Sequence, residues 1–325
     1  MSASVQLNEK DRACFILNPR SAGGATADRQ AAFHEAASRH FSNFEIWRTE
    51  RPGHATELAA RAAQEGFTLV GAVGGDGTAS EVVNGLMGEE KARNPATVFT
   101  VVPAGTGSDL IKTLRSPREL DAALWAAAHG EDRPSDLVQL DVTAQDRSKS
   151  IRRWGVNVTG FGVSGAVVQY ANESRKLFGG KVTFALAAVR ALMDRRWGPI
   201  VAQWKDAAGE SHGWEGDVVV GFIGNGQYCG GGMWVGPGGS MQDGLLELLI
   251  LPRMRTRDLL RNAPRLYDGT LGEAPGVVRT TVRSLELMSP EKNFCGMDVD
   301  GEQPGVLPLK AAAIEKALVI RGIWK

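Results

Sequence analysis

Residues 69–80 read Leu69-Val70-Gly71-Ala72-Val73-Gly74-Gly75-Asp76-Gly77-Thr78-Ala79-Ser80. An apolar run of strand length over 69–73 ends on a glycine turn that carries an acid, and a helical pattern follows over 80–87. Glycine lets backbone N–H groups approach an anion with no Cβ in the way, and a turn leading into a helix aims those groups at it. The stretch therefore has the chemistry of a phosphate cradle. Taken alone it is a weak signal, since an ordinary tight turn looks the same.

Reading outward, two similar turns flank it. Asn18-Pro19-Arg20-Ser21-Ala22-Gly23-Gly24 follows a strand-like run over 13–17, and Pro103-Ala104-Gly105-Thr106-Gly107-Ser108-Asp109 follows another over 98–102. A further strand is expected over 44–47 and helices over 28–41, 56–65 and 119–129. This alternation predicts a parallel sheet covered by helices, an α/β domain. In such a sheet the three turns share one carboxyl edge, where ligands bind. Three glycine turns on one edge, with Thr78 and Thr106 hydroxyls beside them, favour a nucleotide polyphosphate over three unrelated turns. Asp76 among phosphates makes sense if it holds Mg²⁺, which prefers carboxylates, waters and phosphate oxygens. Neither a Walker A motif nor a clean GxGxxG is present.

The pattern changes after about residue 135. Strands dominate, over 137–143, 153–158, 200–204, 217–223, 245–251 and 277–287, with helices over 163–172, 183–195 and near 256–267. A largely antiparallel, β-sandwich-like second domain is expected. Residues 144–150 read as a turn or short linker. The strand-like tail at 317–321 is expected to return to the first domain. The division is thus 1–135 for an α/β nucleotide-binding domain, 136–305 for a β-rich second domain, and 306–325 returning to the first. Two acidic turns mark the second domain, one at 236–244 ending Gln242-Asp243-Gly244 and one at Asp298-Val299-Asp300-Gly301-Glu302. Each alone is ordinary hairpin punctuation, and Glu302 alone is equally a solvated loop charge.

Composition removes several classes. The 325 residues carry 37 basic and 37 acidic side chains, a net charge of zero, which argues against a nucleic-acid partner. Cys14, Cys229 and Cys295 form no CxxC pair and the five histidines form no HExxH, so no zinc site or disulfide framework is supported. A reduced, cytoplasmic setting is the simpler reading. The first residues are polar, and even the apolar stretch around 184–193 contains Arg190. A membrane would be met peripherally, at its inner face.

At these residues the sequence resembles the diacylglycerol kinase catalytic-domain family, which includes bacterial lipid kinases and the sphingosine and ceramide kinases. The likeness runs from about Cys14 to the C-terminus. Gly74-Gly75-Asp76-Gly77-Thr78 followed by Glu81, Val82 and Asn84 is its most specific signature, and the other four turns occur in the family's order. The resemblance implies an ATP-dependent kinase that phosphorylates the hydroxyl of a diacylglycerol, ceramide or sphingoid lipid at a membrane surface, with Mg²⁺. It implies that Asn18, Pro19, Arg20, Ser21, Ala22, Thr49, Gly74, Gly75, Asp76, Gly77, Thr78, Ala79, Ser80 and Thr106 surround ATP. Asp76, Asp109 and Asp141 would form an acidic network. Glu302 would take the proton from the lipid hydroxyl, with Asp76 and Asp300 beside it in catalysis. Asp243, with the carbonyls of Ser240 and Leu245, would hold a structural magnesium.

Two departures stand out. Ser108 replaces the family's usual asparagine, and Gln242 replaces one acid of the usual pair before Gly244. The lipid chains need an apolar surface, for which 163–170 and 178–193 are candidates; ordinary core helix faces explain both equally well. A soluble-substrate kinase of the NAD-kinase type and a non-catalytic lipid- or nucleotide-binding regulator remain as alternatives, and a homodimer is left open.

Overall fold

Ala13–Leu17 and Leu69–Gly74 are buried at every position, as strands covered on both faces must be. The structure is a computed structural model, and it describes residues 8–21, 29–104, 108–173, 190, 197–291 and 296–324. The chain divides into two compact units. One runs to Ser135 and takes up the chain again from Lys316; the other is Asp136–Glu315.

In the first unit, β1 (Ala13–Leu17), β2 (Phe44–Arg48), β3 (Leu69–Gly74) and β4 (Val98–Pro103) are joined by the last part of β16 (Val306–Gly322) in the order β16-β4-β3-β1-β2. Every one of these pairings is parallel. Leu17 stands opposite Val73 and Arg48, and Gly74 opposite Pro103, so the turns that follow share one carboxyl edge. Helices α1 (Arg29–Ser38), α2 (His54–Gln64), α3 (Asp76–Leu86), α4 (Leu110–Thr113) and α5 (Leu120–His129) follow in chain order. Phe15 centres the core, edge-on to Phe33 and Phe41 at 5.4 and 5.1 Å. Arg321 on β16 is buried and gives its guanidinium to both Asp11 and Asp132, tying the end of the chain to its beginning.

The second unit is built of antiparallel pairs. It holds β5 (Glu131–Thr143, from Asp136 on), β6 (Ser150–Gly155), β7 (Val158–Gly162), β8 (Gly198–Lys205), β9 (Ser211–Gly224), the small ribbon β10 (Tyr228–Cys229) with β11 (Met233–Trp234), β12 (Leu246–Pro252), β13 (Val278–Val282), β14 (Ser284–Met288), β15 (Asp298–Val299) and the first part of β16. Pairing runs β13-β12-β9-β8-β14-β16, with β7 on β9 and β15 on β7. Among its described residues are also the helices α6 (Val163–Glu173), α7 (Thr256–Asn262) and α8 (Arg265–Asp268) and a 3-10 turn at Leu271–Glu273.

The expected fold class holds, an α/β unit with a parallel sheet and a mainly antiparallel β unit. The differences lie at element ends. α3 begins at Asp76, four residues before the expected start, because the acid and Gly77 form its first turn rather than a loop ahead of it. The expected strand over 153–158 is two strands broken at Val156-Asn157, where backbone N–H groups turn to a carboxylate instead of a ladder. The expected strand over 277–287 breaks at Arg283, whose N–H bonds Lys205. The helix near 256–267 breaks at Ala263-Pro264, as proline dictates. Of residues 144–150, 144–149 form the hairpin turn between β5 and β6, and Ser150 opens β6 opposite Thr143. The expected helix over 183–195 lies outside the described residues but for Arg190.

Candidate functional site

Gly74, at the end of β3, is the hub of the carboxyl edge. Its carbonyl accepts the backbone N–H of Ala104 at 3.1 Å and the hydroxyl of Ser108 at 3.3 Å. A Cβ at Gly74 would meet Thr78 Oγ1 at 2.4 Å and Ser21 Oγ at 3.0 Å, so only glycine lets the three turns close on one another here. Asn18 completes the contact. Its Nδ2 donates to Thr78 Oγ1 at 3.0 Å, its Oδ1 accepts the Arg20 N–H, and its own N–H reaches the Val73 carbonyl. Ser108 therefore does from the third turn a binding task that its short hydroxyl can reach.

Asp76 is the first residue of α3, and no side chain caps that helix start. Its carboxylate accepts the N–H of Asp109 through both oxygens at 2.9 Å and that of Leu110 at 3.0 Å. Burial pushes its carboxyl up from the ordinary range; the two amides oppose this and the Asp109 charge adds to it. Asp109 is itself buried and paired with Lys112 at 2.7 Å. Thr49 is buried at the end of β2, its N–H on the Leu17 carbonyl. Ala79 and Ser80 are buried within α3. Pro19 and Arg20 stand at the turn's outer side, and Arg20 is exposed. Ala22 and Thr106, also expected near ATP, lie outside the described residues. Glu81 of the signature caps α2, accepting the N–H groups of Gly53 and Ala55 at 2.9 and 3.0 Å.

The second unit carries the hairpin 298–302. Val299 and Glu302 exchange both backbone hydrogen bonds at 2.8 and 2.9 Å, and the two residues between them have φ of 49° and 90°. Asp-Gly is the pair that tolerates such a turn. Glu302 is half-buried directly after it. Asp300, by contrast, is buried and accepts the N–H groups of Val156, Asn157 and Val158 at 2.8, 3.0 and 3.0 Å. Its carboxylate fixes the break between β6 and β7. Around this hairpin several buried polar atoms have no partner among the described residues: Asn157 Oδ1, Thr159 Oγ1 and Ser164 Oγ. Thr159 faces Val299 across the β7–β15 pair. Buried orphans of this kind call for water or ligand.

Asp141 is half-buried on β5. It is held in a forked pair by Arg152 at 2.8 and 3.0 Å, which keeps its carboxyl below the ordinary range. Asp136, which the sequence does not single out, is a further buried acid of this unit, beside Asp300 and Glu247. It accepts the Gly244 N–H at 2.8 Å, and its own N–H and carbonyl bond Met241 and Asn225. An acid placed between Ser135 and Leu137, at the head of an apolar run, was the available signal. Asp243, in the same turn, accepts the Leu245 N–H at 3.0 Å. Shielding by the turn raises its carboxyl, against that amide, and the charges of Asp136 and Glu247 raise it further. A divalent cation would relieve this crowding of acids. Ser240 Oγ is turned inward to the Gln242 N–H. The one compact trio of metal-type ligands among the described residues is elsewhere, Asp206, Glu210 and His212 in the β8–β9 turn. There Asp206 is already taken by the N–H groups of Ala208 and Glu210 and by His212.

With this geometry the comparisons agree. Residues 12–140 match the family model of the diacylglycerol kinase catalytic domain, and residues 157–321 match that of the YegS C-terminal NAD kinase beta sandwich-like domain. The protein named "Probable lipid kinase YegS-like" in Cronobacter sakazakii is 31% identical over 232 residues, 69% of this chain and 72% of that one. Its namesake in Stenotrophomonas maltophilia is 25% identical over 301 residues, 93% of this chain and 89% of that one. A crystal structure of a diacylglycerol kinase from Bacillus anthracis superposes with a TM-score of 0.65 at 19% identity, covering 96% of this chain and 97% of that one, a likeness of fold. The class is that of kinases acting on lipids. Within it, the chain belongs to the YegS-like lipid kinase family, with a diacylglycerol kinase catalytic domain. Among the described residues no helix is long and apolar enough to cross a membrane.

Proposed function

We propose that this chain transfers the γ-phosphoryl group of ATP to the hydroxyl of a diacylglycerol, ceramide or sphingoid lipid. The observation that carries the reading is the closure of three turns on Gly74 beside the uncapped start of α3. Backbone N–H groups and a helix start gathered at one sheet edge are suited to polyphosphate. Asn18, Thr78 and Ser108 hold the turns in register, and Thr49 and the 74–80 segment border the nucleotide.

Phosphoryl transfer demands positioning and neutralisation of charge more than covalent chemistry. Mg²⁺, when bound, neutralises charge on the phosphates. Asp76 fits such an ion through water, since its buried carboxyl is raised and two amides leave lone pairs unused. Asp136 and Asp243 fit a second, structural ion at the turn before β12. Glu302 receives the proton of the lipid hydroxyl as its oxygen attacks the γ-phosphorus and ADP leaves. Asp300 acts through the backbone, as a positioning residue. The decisive assay supplies radiolabelled ATP and a panel of lipids dispersed in micelles. Label in a phosphorylated diacylglycerol, ceramide or sphingoid base supports the reading, and identifies which. Label transferred only to water-soluble alcohols overturns it.

A further inference from the structure

The segment Arg253-Met254-Arg255-Thr256-Arg257-Asp258-Leu259-Leu260-Arg261-Asn262-Ala263-Pro264-Arg265-Leu266-Tyr267-Asp268 holds five arginines against two aspartates, a local charge of +3 in a chain whose net charge is zero. It forms the short helices α7 and α8. Its inner side is apolar and anchored: Met254, Leu259 and Leu266 pack on a cluster that contains Leu249, Leu251 and Leu271. Its outer side is the unusual part. Leu260 is 71% exposed and Tyr267 60% exposed, two of the four large hydrophobic residues that stand out from the described surface. On α7, Arg257, Leu260 and Arg261 fall at i, i+3 and i+4, hence on one face.

The arginines are available as well as close. Arg255 and Arg261 are exposed and form no ion pair among the described residues, and Arg257 has only its neighbour Asp258 at 3.6 Å. Arg253 and Arg265 are engaged, with Asp217 and the Thr270 carbonyl. Three outward cations, two of them on the α7 face that carries Leu260, thus stand in the segment that also exposes Tyr267. Exposing two large apolar side chains to water has no use for the fold, because the inner face already secures the helices. Arginine can lay its stem along an apolar surface while its head meets phosphate, and tyrosine suits the boundary between water and hydrocarbon.

We propose that this face of α7 and α8 docks on an anionic lipid surface, with Leu260 and Tyr267 entering the interface and Arg255, Arg257 and Arg261 meeting lipid phosphates. Charge complementarity selects this occupant: the face is cationic in a neutral protein, and each basic group near an anionic leaflet adds attraction that salt screens. The inference rests on the lipid-kinase reading for its purpose, yet its test needs neither ATP nor substrate.

The test is sedimentation of the full chain with vesicles of phosphatidylcholine alone and of phosphatidylcholine containing one-third phosphatidylglycerol. Binding is expected to the second only, and to fall as salt rises. Arg257→Gln with Arg261→Gln should lower partitioning roughly 30-fold, and Leu260→Gln about 10-fold. Both sites are exposed, so the variants should melt with the parent. Lys91→Gln with Lys149→Gln, an equal loss of charge at exposed positions elsewhere, should bind as the parent does. No binding to anionic vesicles, equal losses in the control pair, or a change of oligomeric state on Leu260→Gln with vesicle binding intact would each overturn the proposal. Turnover on a short-chain lipid in free solution should be the same in all of them, so a protein that binds vesicles without kinase activity sinks the functional reading and leaves this one standing.

Discussion

Both carboxylate oxygens of Asp76 lie 2.9 Å from the backbone nitrogen of Asp109. The acid that the sequence places among phosphates is thus also the clasp between the second and third turns. Burial raises its folded-state carboxyl pKa above the ordinary value. A raised pKa means that the neutral form fits the fold better, so stability is greatest below the ordinary aspartate range and declines as pH rises through the folded value. Asp76→Asn keeps an acceptor oxygen for the amides and cannot ionise. Denaturant unfolding across pH 4 to 7 should show the variant gaining on the parent as pH rises, while its turnover is nearly abolished. A variant that loses stability relative to the parent as pH rises, or near-normal turnover, contradicts this account.

Asp300 should behave as a structural acid. Alanine there leaves three buried N–H groups without acceptors, each of which costs about 1 kcal/mol or more. We expect Asp300→Ala to lose roughly 3 kcal/mol and Asp300→Asn to lose less, since asparagine retains one acceptor and accepts the positive φ. Urea midpoints compare the three proteins directly. An alanine variant as stable as the parent would move Asp300 back among residues that act on substrate.

Arg321, buried on β16, neutralises both Asp11 and Asp132. Arg321→Met should cost about 3 kcal/mol, because buried Asp11 loses its cation where water barely enters, while exposed Asp132 keeps Lys10 at 3.8 Å. Changing Asp11 and Asp132 to asparagine in the same protein should recover part of that loss. Recovery is the informative outcome, since mere loss of packing would persist in the triple variant.

The alternation of apolar runs with glycine turns made the parallel sheet legible, because a strand buried on both faces is continuous in sequence and its turn chemistry is local. Element ends were less so. Asp76 starts a helix although it reads as loop, and Val156-Asn157 breaks a strand, and in both places the cause is a partner distant in sequence: Asp109 for the first, Asp300 for the second. The same distance explains Asp136 and Asp141. Both acids stand on one strand six residues or fewer apart, and only the fold shows that Arg152 takes Asp141 on the partly exposed side while Asp136 is buried under Gly244. Turns and strands are written locally; the duties of buried acids are set by what folds against them.

The turn before β12 gives a metal prediction. The charges of Asp136 and Glu247 raise the cost of ionising Asp243, and Glu247 is paired with Arg279 at 3.1 Å. Magnesium should therefore raise the melting temperature, by an amount equivalent to about 2.7 kcal/mol at a hundredfold excess over its dissociation constant. Asp243→Asn should abolish most of that rise without lowering the metal-free melting point. A parent protein whose melting is indifferent to magnesium would leave the turn with acids and no ion.

Glu302 is the sharpest case, because its neighbour Asp300 offers a built-in contrast. The two carboxylates are two residues apart on one tight turn, yet one is buried under three amides and the other is half-buried at the turn's exit. Glu302 closes the turn with Val299 through its backbone. The hairpin would therefore keep its shape if the side chain changed. Glutamine retains the size and much of the hydrogen bonding but cannot take a proton. If Glu302 is the base, Glu302→Gln should melt with the parent and bind ATP with the same affinity, while turnover on lipid falls about 10²-fold or more. Calorimetric ATP binding and initial rates, measured on one preparation, separate the outcomes. A fall in ATP affinity that matches the fall in turnover would assign Glu302 to nucleotide or metal support. Unchanged turnover would make it a surface charge on a hairpin that Asp300 holds in place.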